Sequence, residues 1–127
     1  PWTPAVFSII GLNESVKMIC EEGIDNVIAR NSELSDMTVK GLAKLGINLF
    51  AKDPIYASKS VNTFYYEKSP QFVAKLKEEF GIEIYNGQAD LHDTTFRVGT
   101  MGYVAKTDIA AFLYAAEQVV KELETEE

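Results

Sequence analysis

The residues Phe96-Arg97-Val98-Gly99-Thr100-Met101-Gly102 carry the most chemical content of this 127-residue chain. They read as a short strand bearing one arginine, followed by two glycines and a helix start. A strand alternates its side chains between faces, so Phe96 and Val98 point together into apolar packing and Arg97 points out of the opposite face. A guanidinium presented there is a rigid fork that matches a carboxylate. Gly99 and Gly102 lean the same way, because glycine lets a ligand approach the backbone closely. On spacing alone, an arginine on a strand of an acidic protein is more often a solvated or ion-paired surface residue, and charge patterns mark sites only statistically.

The other candidates are weaker. Asp90, His92 and Asp93 lie close together, but zinc wants four defined ligands and a solvated loop explains the three as well. With a single histidine, no Ser-His-Asp arrangement is supported. Cys20 falls on the apolar side of its segment and reads as a small core residue rather than a nucleophile. The stretch Gly99-Thr100-Met101-Gly102 lacks the spacing and the lysine of a phosphate-binding loop. Tyr56, Phe64, Tyr65 and Tyr66 could stack on a ligand, yet packing of a strand against helices accounts for them. Thr3 by itself is a residue near the first helix, with capping as its simplest role. The charged runs around Lys75, Lys77, Glu78 and Glu79, and around Glu117, Lys121 and Glu122, read as solvated helix faces.

These residues need elements to position them. Helical spacing of Ala5, Ile9, Leu12, Val16, Ile19 and Cys20 predicts a helix over 5–21. A second runs over 24–45, with Leu34, Met37 and Leu42 on its stripe and Gly46 as its C-terminal cap. Strands are predicted at 47–50, 61–67, 82–85 and 95–98. Ser69-Pro70 opens a helix, with Ser69 as cap and Pro70 at its first position, and Gly81 ends it. Thr107-Asp108 caps the final helix, whose Ile109, Phe112, Leu113, Ala116, Val119, Val120 and Leu123 form the cleanest pattern in the chain. Thr125-Glu126-Glu127 is expected to fray. Short strands separated by turns and helices suggest an α+β two-layer sandwich, a small and mostly antiparallel sheet covered on one face by helices. Its other face is left for a partner, with Arg97 pointing towards it.

Composition bounds the classes of function. Apolar residues make up 46% and charged residues 24%, enough for the core of one domain. Formal net charge is -7, from 12 Lys and Arg against 19 Asp and Glu. This argues against nucleic acid and an anionic membrane as partners, both of which want a basic face. One cysteine forms no internal disulfide, no signal peptide is visible, and a cytoplasmic location is the expectation. The opening Pro1-Trp2-Thr3-Pro4, without a methionine, reads as a piece of something longer.

Taken in order, Thr3-Pro4-Ala5-Val6, Leu12-Asn13-Glu14-Ser15, Glu22-Gly23-Ile24-Asp25-Asn26, Leu45-Gly46-Ile47-Asn48-Leu49-Phe50, Gly81-Ile82-Glu83-Ile84 and Phe96-Arg97-Val98-Gly99-Thr100-Met101-Gly102 closely resemble the C-terminal part of class V aminotransferases. The nearest subgroup is that of alanine–glyoxylate and serine–pyruvate aminotransferases. The resemblance implies a pyridoxal-phosphate enzyme of the aspartate-aminotransferase fold type, with residues 1–22 as the connecting segment and helix from a large domain and 23–127 as the small C-terminal domain. It implies a homodimer that moves an amino group between a small amino acid (serine, alanine or aspartate) and a 2-oxo acid (pyruvate or glyoxylate). Arg97 matches the family arginine for the substrate α-carboxylate. Thr3 matches a threonine that reaches the neighbouring subunit's cofactor phosphate. The Schiff-base lysine lies in the family's large domain, so no catalytic residue is assigned here and the chain alone is expected to be inactive. Asn86 and Ala89 stand where relatives have glycine. Alanine tolerates a left-handed conformation poorly, so the loop around it is expected to run differently. No cysteine occupies the stretch before Arg97, which disfavours desulfurase chemistry. The competing reading is a stand-alone α+β module that binds an amino acid or serves only structure.

Overall fold

The computed structural model describes residues 3–125. Trp2 and the fraying expected at Glu126 and Glu127 lie outside them. The chain divides into two units, Pro1–Arg30 and Asn31–Glu127.

In the first unit, α1 (Val6–Glu22) forms one residue later than spacing predicts, and none of its residues is buried. Cys20 is exposed rather than part of a core. Ile9, Leu12 and Val16 are exposed with it. Periodicity sets the helix, but burial also needs an opposing surface. Thr3 does not cap α1, whose N-cap is Ala5 with no side-chain hydrogen bond. Gly23 ends the helix, its N–H donating to the Ile19 carbonyl at 2.9 Å. Arg30 bridges that break as a fork: Nε donates to Glu22 Oε1 at 2.7 Å and Nη2 to Oε2 at 3.0 Å. This hydrogen bonding holds the Glu22 carboxyl below the usual carboxylate range.

The second unit contains the sheet. The helix α2 (Ile24–Ala43) continues into it, burying Leu34, Ser35, Thr38 and Leu42. Its end and that of α3 (Ser69–Phe80) both turn on a glycine. Gly46 and Gly81 take positive φ of 77° and 65°, while the next residues, Ile47 and Ile82, donate back to Leu42 and Leu76 carbonyls at 3.1 and 3.0 Å. The first is the Schellman closure; the second is one residue wider, with the Gly81 N–H donating to the Lys77 carbonyl at 3.1 Å, and glycine favours both because it has no Cβ to clash. The strands are β1 (Asn48–Leu49), β2 (Val61–Tyr65), β3 (Tyr85–Asn86) and β4 (Thr95–Gly99). They form one antiparallel sheet in the order β1-β2-β4-β3.

Alternation along β2 and β4 sends Phe64, Phe96 and Val98 into one core with Phe72 and Leu76 of α3 and Phe112, Ala116 and Val119 of α4 (Lys106–Thr125). Phe96 is its hub, with its ring 5.5 Å from that of Phe64 and 4.9 Å from that of Phe72. The helices thus cover one face, as the α+β two-layer reading expects. Of the four clustered aromatics, Phe64 is fully buried and Tyr66 packs on the core, edge-on to Phe72. Tyr56 and Tyr65 stay exposed. One polar side chain joins the helix-facing side of β2: Asn62 is buried and donates to Ser35 Oγ at 2.9 Å.

Two predicted caps fall elsewhere. Ser69 is the first residue of α3, and the N-cap Lys68 makes no side-chain cap bond. Asp108 acts from inside α4, its Oδ2 accepting from the Ala105 N–H at 2.8 Å. This is the reach-back half of a capping box.

Candidate functional site

Arg97 sits at the centre of β4, opposite Thr63 on β2 and Tyr85 on β3. Directly opposed residues share a face. The three therefore lie together on the face away from the helices, with Val61 and Tyr65 further along β2. Arg97 is half-buried. Its Nε donates to the Asn86 backbone carbonyl at 3.2 Å. Among the described residues it makes no ion pair with any carboxylate. One guanidinium nitrogen is thus fixed by main chain, and the two terminal nitrogens keep their N–H donors for a bidentate acceptor.

The placement of Arg97 depends on a strand that the sequence puts slightly out of place. Residues 82–85 are predicted as β3, but pairing begins at Tyr85 and includes Asn86. The reason is the closure of α3. The Ile82 N–H is spent on Leu76, and Ile82 and Ile84 pack on the core. Pairing continues to Gly87, whose N–H donates to the Thr95 carbonyl at 2.7 Å. Asn86 therefore belongs to the sheet rather than to a loop, and its carbonyl is available to Arg97.

Ser69 holds this edge from the helix side. Its hydroxyl donates to the Thr95 carbonyl at 2.7 Å, and the Asn86 side-chain amide lies 3.0 Å away. A buried hydroxyl must spend its hydrogen bond somewhere, and here it joins the start of α3 to both strands of the β3–β4 pair. Sequence reasoning gives Ser69 a capping role and misses this one. The only signal was a serine at a helix start in a segment with no other polar residue on its inner face.

The loop beyond β3 folds back beside the arginine. Thr95 Oγ1 donates to the Leu91 carbonyl at 2.8 Å. A Cβ on Gly87 would collide with Thr95 Oγ1 and the Leu91 main chain, so glycine is required there by close approach. Ala89 holds a left-handed φ of 48°. Ala89 thus holds a conformation that glycine would favour. An L-residue in this region carries a strain of roughly 1–2 kcal/mol. Ala89→Gly is expected to stabilise the protein by about 0.5–1 kcal/mol, net of glycine's greater freedom when unfolded. A rise in urea midpoint at unchanged m-value would show it; an unchanged or lower midpoint would mean that the loop imposes no strain.

Past β4, Thr100 is buried and ties the chain to the start of β2. Its N–H donates to the Ser60 carbonyl at 2.8 Å, and its hydroxyl to the Lys59 carbonyl at 3.1 Å. Gly99 closes β4, and Gly102 follows with a positive φ of 85°. His92 Nδ1 lies 2.7 Å from Asp93 Oδ1, and no group of three metal-ligating side chains occurs among the described residues. Likewise, no helix among them is long and apolar enough to cross a membrane. In the first unit, Thr3 is exposed, and its hydroxyl makes no hydrogen bond among the described residues.

The second unit thus sets a four-stranded antiparallel sheet beneath helices, with a main-chain-anchored guanidinium on the face away from them. The solved structure of pyridoxamine–pyruvate aminotransferase from Mesorhizobium loti shares this fold, with a TM-score of 0.88 at 21% identity over 96% of this chain and 32% of that one. The family model for Aminotransferase class-V matches residues 2–112, and the chain belongs to that family. An uncharacterized aminotransferase of Methanocaldococcus jannaschii is 33% identical over 97% of this chain and 32% of its own length. The alanine–glyoxylate aminotransferase of Rattus norvegicus is 32% identical over 85% of this chain and 27% of its own. The chain therefore spans about a third of the length of the curated relatives it matches.

Proposed function

We propose that this chain is the small-domain part of a pyridoxal-phosphate-dependent aminotransferase, with residues 1–22 as the connecting segment and 23–127 as the domain. The reaction moves an amino group between a small amino acid, such as serine, alanine or aspartate, and pyruvate or glyoxylate. The observation that carries this reading is Arg97. Its Nε is fixed by the Asn86 carbonyl, its remaining donors meet no carboxylate among the described residues, and it stands on the face of the sheet away from the helices. Membership of the class V family adds the chemical context.

Arg97 binds the α-carboxylate through its terminal nitrogens. A charge-assisted pair of this kind contributes roughly 1.5–3 kcal/mol. It also fixes the orientation of the substrate's Cα–H bond, which governs its reactivity. Pyridoxal phosphate, when bound, supplies the electron sink. The side chains here fit only its periphery: the exposed Thr3 hydroxyl is a suitable donor to a phosphate oxygen, in this reading one on the neighbouring subunit of a homodimer. The lysine and the acidic partner that the cofactor needs have no counterpart at a matched position of this chain. The 127 residues alone are accordingly expected not to transaminate. A cytoplasmic setting suits the single cysteine.

The test is a visible spectrum of the complete gene product. Expected is a pyridoxal-phosphate band that alanine or serine bleaches and pyruvate or glyoxylate restores. A product that binds no pyridoxal phosphate, or a band that no amino acid alters, would overturn the reading and favour a binding module.

A further inference from the structure

We propose that Tyr85 is a specificity-determining residue of the Arg97 site, its hydroxyl donating a second hydrogen bond to the carboxylate that Arg97 holds. The inference rests on the carboxylate role of Arg97 and adds a donor to it. Three observations carry it.

First, the register sets Tyr85 directly opposite Arg97 on the same face of the sheet. Opposed side chains on paired strands stand about 4.5–5.5 Å apart at Cβ. Tyrosine and arginine are both long side chains, so one small ligand on this face can reach the phenol and the guanidinium together. Second, Arg97 leans towards β3 rather than β2, because its Nε is bonded to the carbonyl of Asn86, the residue after Tyr85. Of its two cross-strand neighbours, the guanidinium is thus drawn to the side of Tyr85 and away from Thr63. Third, the phenol is available. Tyr85 is 65% exposed, and its hydroxyl makes no hydrogen bond among the described residues. The carboxylate of Glu83, two residues earlier, is engaged by Lys77 at 2.7 Å. Tyr65, further along the face, differs on this point, since its hydroxyl already donates to Glu67 Oε1 at 3.3 Å.

A phenol beside a guanidinium is a donor pair suited to one carboxylate. The arginine supplies charge and the tyrosine a directed O–H. The ligand class is a small monocarboxylate, which the amino acid and the 2-oxo acid of the proposed reaction share. The ring also walls the β3 side of the site, where a bulky substituent on the ligand would meet it.

The test uses the protein itself with propionate, a carboxylate that has no amino or oxo group to react. Backbone amide shifts of Asn86 and of 95–99 are followed by NMR as propionate is added, for the parent, Tyr85→Phe and Arg97→Ala. Tyr85→Phe keeps the ring and removes only the hydroxyl. It is expected to weaken propionate binding about 5–10-fold, within the range of a hydrogen bond to a charged group, while Arg97→Ala abolishes saturable shifts. Equal affinity in the parent and in Tyr85→Phe, with binding lost in Arg97→Ala, would overturn the role of Tyr85 and leave that of Arg97 standing. Shifts that persist in Arg97→Ala, or that do not saturate in the parent, would overturn both.

Discussion

Arg97→Ala is expected to lower kcat/KM of the pyridoxal-phosphate-loaded enzyme by about 10²–10³-fold for both the amino donor and the 2-oxo acid. The pair with the carboxylate accounts for roughly 10–150-fold of this, at 1.4 kcal/mol per decade. The rest comes from lost orientation, since a misplacement of about 1 Å can cost another 10²-fold. Cofactor absorbance is expected to be unchanged, because Arg97 is assigned to the substrate and not to the coenzyme. Arg97→Lys separates charge from shape. It keeps the positive charge but loses both the fork and the Nε–H that Asn86 accepts. It is therefore expected to recover only part of the activity. Steady-state kinetics with alanine and pyruvate, alongside the visible spectrum, check the set. Activity of Arg97→Ala within twofold of the parent would remove the carboxylate role and with it the main support for the proposed function.

Phe96→Ala, one residue away, is expected to act on stability instead. Phe96 is fully buried between the rings of Phe64 and Phe72. Truncating such a side chain costs about 3–5 kcal/mol, from lost transfer energy and from the cavity left behind. Domains hold only about 5–15 kcal/mol in reserve, so the variant is expected to lose between about a fifth and all of its stability. Urea denaturation followed by far-ultraviolet circular dichroism measures it. Arg97→Ala in the same experiment is expected to lose no more than about 1 kcal/mol, as a half-buried side chain with one described hydrogen bond. A loss under about 1 kcal/mol in Phe96→Ala would mean that the core repacks around the gap. The contrast between these neighbours follows from the pleat, which sends one residue to the helices and the next to the open face.

Much of this was legible in the amino-acid order. The stripe of α4 from Ile109 to Leu123 is buried almost as its spacing implies, because a strongly periodic helix has one face to bury. The alternation of Phe96, Arg97 and Val98 placed the guanidinium on the far face from the core, and the family resemblance is supported by the match over residues 2–112. Less legible were features set by competition for hydrogen bonds. β3 begins late because the end of α3 claims the Ile82 N–H. Ser69 faces the sheet rather than capping its helix because Thr95 offers it a buried carbonyl. Cys20 and the apolar stripe of α1 are exposed, since periodicity states which face is apolar and never whether a surface meets it.

By itself, the sequence determined the element types, the antiparallel α+β class and the choice of Arg97 as the residue to watch. Each of these depends on local pattern, with periods of 3.6 and 2 and glycine where a helix must close. Only the tertiary structure decided what stands beside Arg97. Asn86 supplies the carbonyl that anchors it, and Tyr85 faces it across the strands. Those neighbours lie 11 and 12 residues back along the chain, and register between strands is fixed by the packing of the whole sheet against its helices, which no local window contains.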